Sequence, residues 1–406
     1  MRKLALAAVV GCTALALPVP ALATTPPVTY QATDWTPTTV GSAPKGLAVN
    51  VTGLVANSGS DSVSVINFCN AKTCAPSSSG SSLAVGSQPS DVAQGTGSNT
   101  SFIVTNTGSN TVSIVNSAGT SVLGTIDVGA EPSGVATSGS TAFVANHGSN
   151  TVSVIDLPSL TVTGTIPVGA GPWGVAANAT NVYVTNNVGN SVSVIDIASR
   201  AVTATIAVQS APGGLALSGS SLFVANNGSG YVSVIDTKSN RVTGTLNANN
   251  QPWGVTAYGG AVFVANYGAG NVYAFDAATS RQTASIVTGG TPFGLSTAVG
   301  KLSITDTSGG IVKSVPLAAP TPAPSWSSNT KNRSVTAVDP LMQGVTYAII
   351  AKSGSTTKKG SCKTTGTTKT CTISSLPKGK TWKVSVTTQL PWQATAGGNQ
   401  NKKFKF

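Results

Sequence analysis

The stretch FVANHGSNTVSVID, residues 143–156, returns as YVTNNVGNSVSVID at 183–196, FVANNGSGYVSVID at 223–236 and FVANYGAGNVYAFD at 263–276, an offset of forty residues each time. Each copy reads as two short runs rich in Val, Ile, Phe and Thr around a Gly/Asn/Ser cluster, the pattern of two strands joined by a tight turn. A repeat of this period points to one supersecondary unit used many times.

Around that string, a Pro-x-Gly-(Val/Leu) marker precedes it at Pro132, Pro172, Pro212 and Pro252 and recurs at Pro44 and Pro292, with a degenerate copy, Pro89-Ser90-Asp91-Val92. The gaps run 45, 43, 40, 40, 40 and 40. A second marker, the Asn that closes each VAN or VTN, runs Asn57, Asn106, Asn146, Asn186, Asn226, Asn266, with Asp306 in the seventh slot. Both markers count seven. Four short strands per unit of about forty residues predict a propeller blade, and seven such blades close around an axis. Before the first unit, 39–44 (TVGSAP) resembles the end of a fourth strand, and the seventh unit lacks one, so the N-terminus is expected to complete the last blade and remove the open edges.

Tyr183-Val184-Thr185-Asn186 and its variants at Phe143, Phe223 and Phe263, with the Pro-x-Gly-Val-Ala and Val-Ser-Val-Ile-Asp strings, resemble the YVTN or surface-layer type of β-propeller over residues 28–317. The resemblance implies an exported or cell-surface protein that serves in binding or structure. Related propellers include lactonases and a streptogramin lyase, so fold alone leaves activity open.

Arg2 and Lys3 ahead of the apolar run 4–17, then Ala21-Leu22-Ala23, predict a signal peptide over 1–23 and an exported chain: extracellular, cell-surface or periplasmic. A lipobox reading ending at Cys12 is the rival. The expected divisions are then a seven-bladed propeller over 24–317, a Pro-rich linker over 318–325 and a basic domain over 326–406. In that last domain, alternating strands and the pattern around Cys371, Leu376, Gly379 and Trp382 resemble fibronectin type III, with Trp382 where that family has Tyr. An indole donates but cannot also accept as a phenol does. In an exported chain the close pairs, Cys69 with Cys74 and Cys362 with Cys371, are expected to form two disulfides rather than a metal site. No later run is long and apolar enough for a membrane span.

Charged residues make up 8% of the chain, and the net charge of +12 is uneven. Residues 24–319 hold eight Lys/Arg against ten Asp/Glu, whereas 320–406 hold thirteen against Asp339 alone. Lys358, Lys359, Lys363, Lys369, Lys378, Lys380, Lys402, Lys403 and Lys405 are therefore candidates for binding an anionic cell-envelope polymer. Thin aromatic interleaving argues against sequence-specific nucleic-acid recognition.

Catalytic material is scarce: His147 is the single histidine and Glu131 the single glutamate. Multi-histidine metal centres and glutamate pairs are excluded, no cofactor is implied, and His147 alone could serve as a base if the chain were a lactonase or lyase. Asp156, Asp196, Asp236 and Asp276 recur after a strand, where Asp accepts turn hydrogen bonds. The informative position is the x of Pro-x-Gly, which varies as Lys45, Ser90, Ser133, Trp173, Gly213, Trp253 and Phe293 and should circle one mouth of the ring. Lys45, Trp173, Trp253 and Phe293, with Asn146, His147, Asn187, Asn227 and Tyr267 from the adjacent loops, form the expected ligand site for a surface glycan or another protein. A purely structural surface-layer component is the remaining alternative.

Overall fold

The computed structural model describes residues 28–31, 37–49, 52–67, 77–95, 100–298, 300–317, 325–329, 332–340, 346–365, 368–389 and 398–405. The expected signal peptide, 1–23, and all of the linker but Ser325 lie outside the described residues. Cys69 lies outside them, and so does Cys74. The disulfide expected between Cys69 and Cys74 is therefore not among the bonds described, and of the two expected disulfides the described residues hold only Cys362–Cys371. Among the described residues every regular element is a strand.

Residues 28–316 form seven sheets. The third shows why the repeat folds as it does. Its strands Pro132–Ser138, Thr141–Asn146, Thr151–Asp156 and Thr161–Pro167 pair antiparallel in chain order. Phe143 lies opposite Val154 and Ala145 opposite Val152. The second strand is buried at five of its six positions, because each face of the sheet packs on a neighbour, while the fourth strand, at the rim, is mostly exposed. Each pair of successive sheets encloses its own apolar cluster; between the third and fourth, Phe143, Val152 and Ile166 meet Val182, Val184 and Ile195. Leu47, Val55 and Ile66 meet Val312 in the same way, joining the first sheet to the last.

The two ends of the repeat array are tied by backbone pairing. Thr38–Thr39 adds to Ile311–Pro316 as the outer strand of the last sheet, through Thr38 opposite Val312 and Thr39 opposite Ile311. One pairing has no precedent in the repeat: Val28–Gln31 lies parallel to Gln282–Val287 and gives the sixth sheet a fifth strand.

The recurring polar residues are explained locally. Asn186 is fully buried and its Nδ2 donates to Ser191 Oγ at 2.9 Å and Ser193 Oγ at 3.0 Å, which accounts for the Asn and the serines of the motif together. Asp156, Asp196 and Asp236 accept from the backbone N–H and hydroxyl of Ser159, Ser199 and Ser239, and Asp276 from those of Thr279. These hydroxyl and backbone bonds hold the four carboxyls below their ordinary pKa. They are turn formers.

Residues 325–405 form two further four-stranded sheets, ordered Ser325–Asn329, Ser334–Pro340, Thr368–Ile373, Ser361–Thr365 and Thr356–Lys359, Thr346–Ser353, Thr381–Gln389, Gly398–Lys405. They share one core around Trp382, Ile349, Val384 and Ile373. Trp382 is wholly buried and its indole N–H donates to Pro377 O at 3.3 Å. Cys362 and Cys371 are direct cross-strand partners and are disulfide-bonded. Closing so short a loop is worth about 2–3 kcal/mol in the chain-entropy picture. Urea unfolding of a fragment spanning 320–406, followed by the fluorescence of Trp326, Trp382 and Trp392 together, should show a loss of that size on reduction, and an unchanged midpoint would contradict it.

Candidate functional site

In each of the seven sheets of 28–316, the strand that begins at the marker Pro lines the ring's axis. In six of the seven the marker Pro pairs with the repeated Asn, as Pro172 does with Asn186 and Pro252 with Asn266, and in the seventh Pro292 pairs with Asp306, so the x side chain and the residue following the Asn or Asp emerge at the same mouth. The expected aromatics do meet there. His147 and Trp173 contact edge to face with centroids 5.6 Å apart, Trp173 and Trp253 likewise at 5.3 Å, Trp253 and Phe293 lie tilted at 5.2 Å, and Phe293 meets Tyr267 edge to face at 6.3 Å. Trp173 and Trp253 belong to sheets separated by a third. The intervening x residue is Gly213, over which the Trp253 ring lies: a Cβ there would be in van der Waals contact with Trp253 Cδ2 at 3.6 Å. All five members of the arc keep solvent exposure.

Two hollows flank this arc. One, about 500 Å³, is lined by Lys45, Asn227, Gln251, Trp253, Tyr267, Thr291 and Phe293. Lys45 is half-buried there, and burial lowers its pKa. The other, about 230 Å³, lies on the axis and takes residues from all seven first strands, among them Ser90, Asp91, Ser133, Trp173, Trp253 and Phe293. Asp91 occupies a slot that is glycine in the other six repeats. Its Oδ1 accepts from Val92 N–H at 2.9 Å and its Oδ2 from Val135 N–H at 3.1 Å, so the carboxylate ties two neighbouring sheets. Burial within the ring pushes its pKa up to about 6, against the pull of those two bonds.

The remaining expected residues divide. His147 Nδ1 lies 3.2 Å from Glu131 Oε2, so the single histidine and single glutamate are partners at the rim. Asn187 Nδ2 donates to Pro212 O at 3.0 Å and Asn227 Nδ2 to Pro252 O at 3.5 Å; both sit in the wall of the mouth. Asn146 does not reach it. That side chain is fully buried and its Nδ2 donates to Thr151 Oγ1 and Ser153 Oγ, because the last position of the second strand faces into the sheet. Sequence reading names Asp91 only within the degenerate marker and Gly213 only as one of the seven x residues, although an acid in a slot otherwise filled by glycine is a usable signal. Among the described residues no group of three or more His, Cys, Asp or Glu is placed to hold a metal ion.

Of the lysines expected to form the basic surface, Lys358, Lys359, Lys363, Lys378, Lys380, Lys402, Lys403 and Lys405 are exposed and Lys369 is half-buried. The structure adds a ladder: Lys352 pairs with Lys383 and Lys383 with Lys403 across three adjacent strands, all three exposed. Like charges directly opposite one another repel.

Residues 80–221 match the family described as YNCE-like beta-propeller. Solved structures with similar architecture include Kuenenia stuttgartiensis hydrazine synthase, with a TM-score of 0.59 and 21% identity over 68% of this chain and 96% of that one. U3-55K gives a TM-score of 0.58 at 12% identity, covering 68% and 96%. The computationally designed Ika8 protein gives 0.51 at 12%, covering 74% and 95%. A search of the curated proteins finds no match. At these identities the likeness is one of fold. Successive four-stranded antiparallel sheets, the family match over 80–221 and these neighbours together make the chain an all-β protein of β-propeller architecture.

Proposed function

We propose that this protein is an exported scaffold of the cell envelope or extracellular space, whose seven-bladed propeller of YVTN type binds a glycan or protein ligand at one mouth. In this reading the fibronectin type III-like module attaches to an anionic surface polymer. The observation that carries it is the continuous arc His147–Trp173–Trp253–Phe293–Tyr267: five rings in mutual contact that stay partly open to solvent, a surface suited to stacking on sugar faces or apolar side chains. The lysine ladder supports the second half. Lys352, Lys383 and Lys403 repel one another unless a polyanion lies across them.

The test is co-sedimentation of the intact chain with envelope from the source cells across a salt series. Charge-based attachment weakens as salt screens it. Exchanging Lys352, Lys383 and Lys403 for Gln should release the chain at lower salt; release curves that coincide would remove the anchor. Trp173→Ala with Trp253→Ala should leave attachment intact while reducing capture of surface glycans or proteins at least about tenfold, the loss of two stacking faces being worth about 1.4 kcal/mol or more. Undiminished capture by the double variant would refute the aromatic site.

A further inference from the structure

Among the described residues the axial cavity is lined by one ionisable side chain, Asp91, and by no cationic one. Asp91 has no ion-pair partner among the described residues, whose two ion pairs are His147–Glu131 and Lys313–Asp306. Lys45 lines the outer hollow and is absent from the cavity wall. Each carboxylate oxygen accepts one backbone N–H, which leaves further acceptor capacity on both.

Glycine is the residue this slot otherwise needs. At Gly134, Gly174, Gly214, Gly254 and Gly294 an added Cβ would lie between 2.1 and 2.6 Å from the carbonyl oxygen of the next strand's x residue. The second repeat alone carries a side chain here, a half-buried acid on the axis with two backbone hydrogen bonds and no ion pair among the described residues, and its charge is costly there.

The other groups around it narrow the choice of partner. Ser90 and Ser133 both use their hydroxyls on the backbone carbonyls of adjoining strands: Ser133 Oγ donates toward Pro172 O at 3.0 Å and Ser90 Oγ toward Ser133 O at 3.0 Å. One carboxylate without a second acid or histidine is a poor site for a divalent ion, which needs several anionic or carbonyl oxygens. It does balance one positive charge. Trp173, Trp253 and Phe293 line the same cavity, and aromatic side chains attract weakly hydrated organic cations.

We propose that the axial cavity binds the ammonium group of a small organic cation, held between the Asp91 carboxylate and the rings of Trp173, Trp253 and Phe293. This rests on the reading of the aromatic mouth as a ligand site and assigns a chemical class to what enters it. Lys45, at the outer hollow, opposes a second positive charge, so the part of the ligand left outside is neutral or anionic.

The probe is choline, compared with its uncharged carbon isostere 3,3-dimethylbutanol, titrated into the full chain by calorimetry with tryptophan fluorescence in parallel. Choline should bind about tenfold or more tighter than the isostere, as expected for a desolvated cation against aromatic faces and a carboxylate. Asp91→Asn should erase that difference while the far-ultraviolet spectrum stays unchanged. Lys45→Met should strengthen choline binding. The charges facing the site are Asp91 within and Lys45, His147 and Glu131 at the mouth, so the preference should fade as pH falls through about 6 and do so equally in His147→Gln.

Equal affinity for choline and its isostere, or no heat and no quenching with choline at millimolar concentration, would overturn the proposal, and neither result depends on any variant folding. The two readings separate. If choline fails but Trp173→Ala with Trp253→Ala still abolishes glycan or protein capture, the mouth remains a ligand site of another class. If choline binds and capture is unaffected by those changes, the cation site stands and the glycan or protein reading falls.

Discussion

Gly254→Ala lowers the stability of the propeller by about 3 kcal/mol or more, whereas Gly244→Ala changes it by less than about 1 kcal/mol. Both glycines lie inside strands of one repeat array. At Gly254 a Cβ would fall 2.1 Å from Phe293 O, the backbone of the neighbouring sheet; at Gly244, on the outer strand, it would meet nothing within 4 Å. A side-chain clash could be relieved by a rotamer change. A backbone carbonyl cannot swing away without moving its sheet, and each sheet is clamped by apolar clusters on both faces. The same close approach repeats around the ring and includes Gly294 against Lys45 O, so displacement at one joint propagates to the next. Urea unfolding of the two variants checks this directly; similar midpoints would show that the inner strands are less tightly set than their spacing implies.

The second large effect concerns pH. Asp91 titrates near 6 in the folded protein against an ordinary value of 3.8, so the folded state holds a proton that the unfolded state has released. Stability contributed by that proton is complete below about pH 4 and declines as pH rises to about 6, after which the loss is constant. The shift corresponds to about 3 kcal/mol at most, at about 1.4 kcal/mol per pH unit. Asp156, Asp196, Asp236 and Asp276 act with the opposite sign, since hydroxyl and backbone bonds depress their pKa: their contribution is present above about 3.8 and is lost as pH falls through their folded values. Both proteins carry those four, so the difference between the intact chain and Asp91→Asn isolates the axial acid. Measured by denaturant unfolding, that difference should move in favour of the variant by up to about 3 kcal/mol between pH 4 and pH 7. A pH-independent difference would mean that the carboxyl is better solvated than its position suggests. A cation bound in the axial cavity would reduce the effect at neutral pH, linking this result to the choline titration.

The repeat, its strands and the position at which the units differ are all legible along the chain. The forty-residue period, the Pro-x-Gly marker and the β-branched runs are local signals, and local hydrogen bonding and packing enforce them: Asn186 on Ser191 and Ser193, Asp196 on Ser199, Tyr183 opposite Val194. The split between near-neutral repeats and a lysine-rich end is legible too, because charge is additive along a chain. Which residues share a site is settled by packing between repeats. Asn146 and His147 are adjacent in sequence, yet the first is spent inside its sheet and the second faces the mouth, since Asn146 is the last residue of its strand and His147 the first of the turn that follows. Trp173 and Trp253 meet across the sheet that lies between theirs, where the x residue is Gly213. Asp91 reads along the chain as a flaw in a motif; its place on the axis, in a cavity lined by residues from all seven repeats, exists only once the ring of strands has closed.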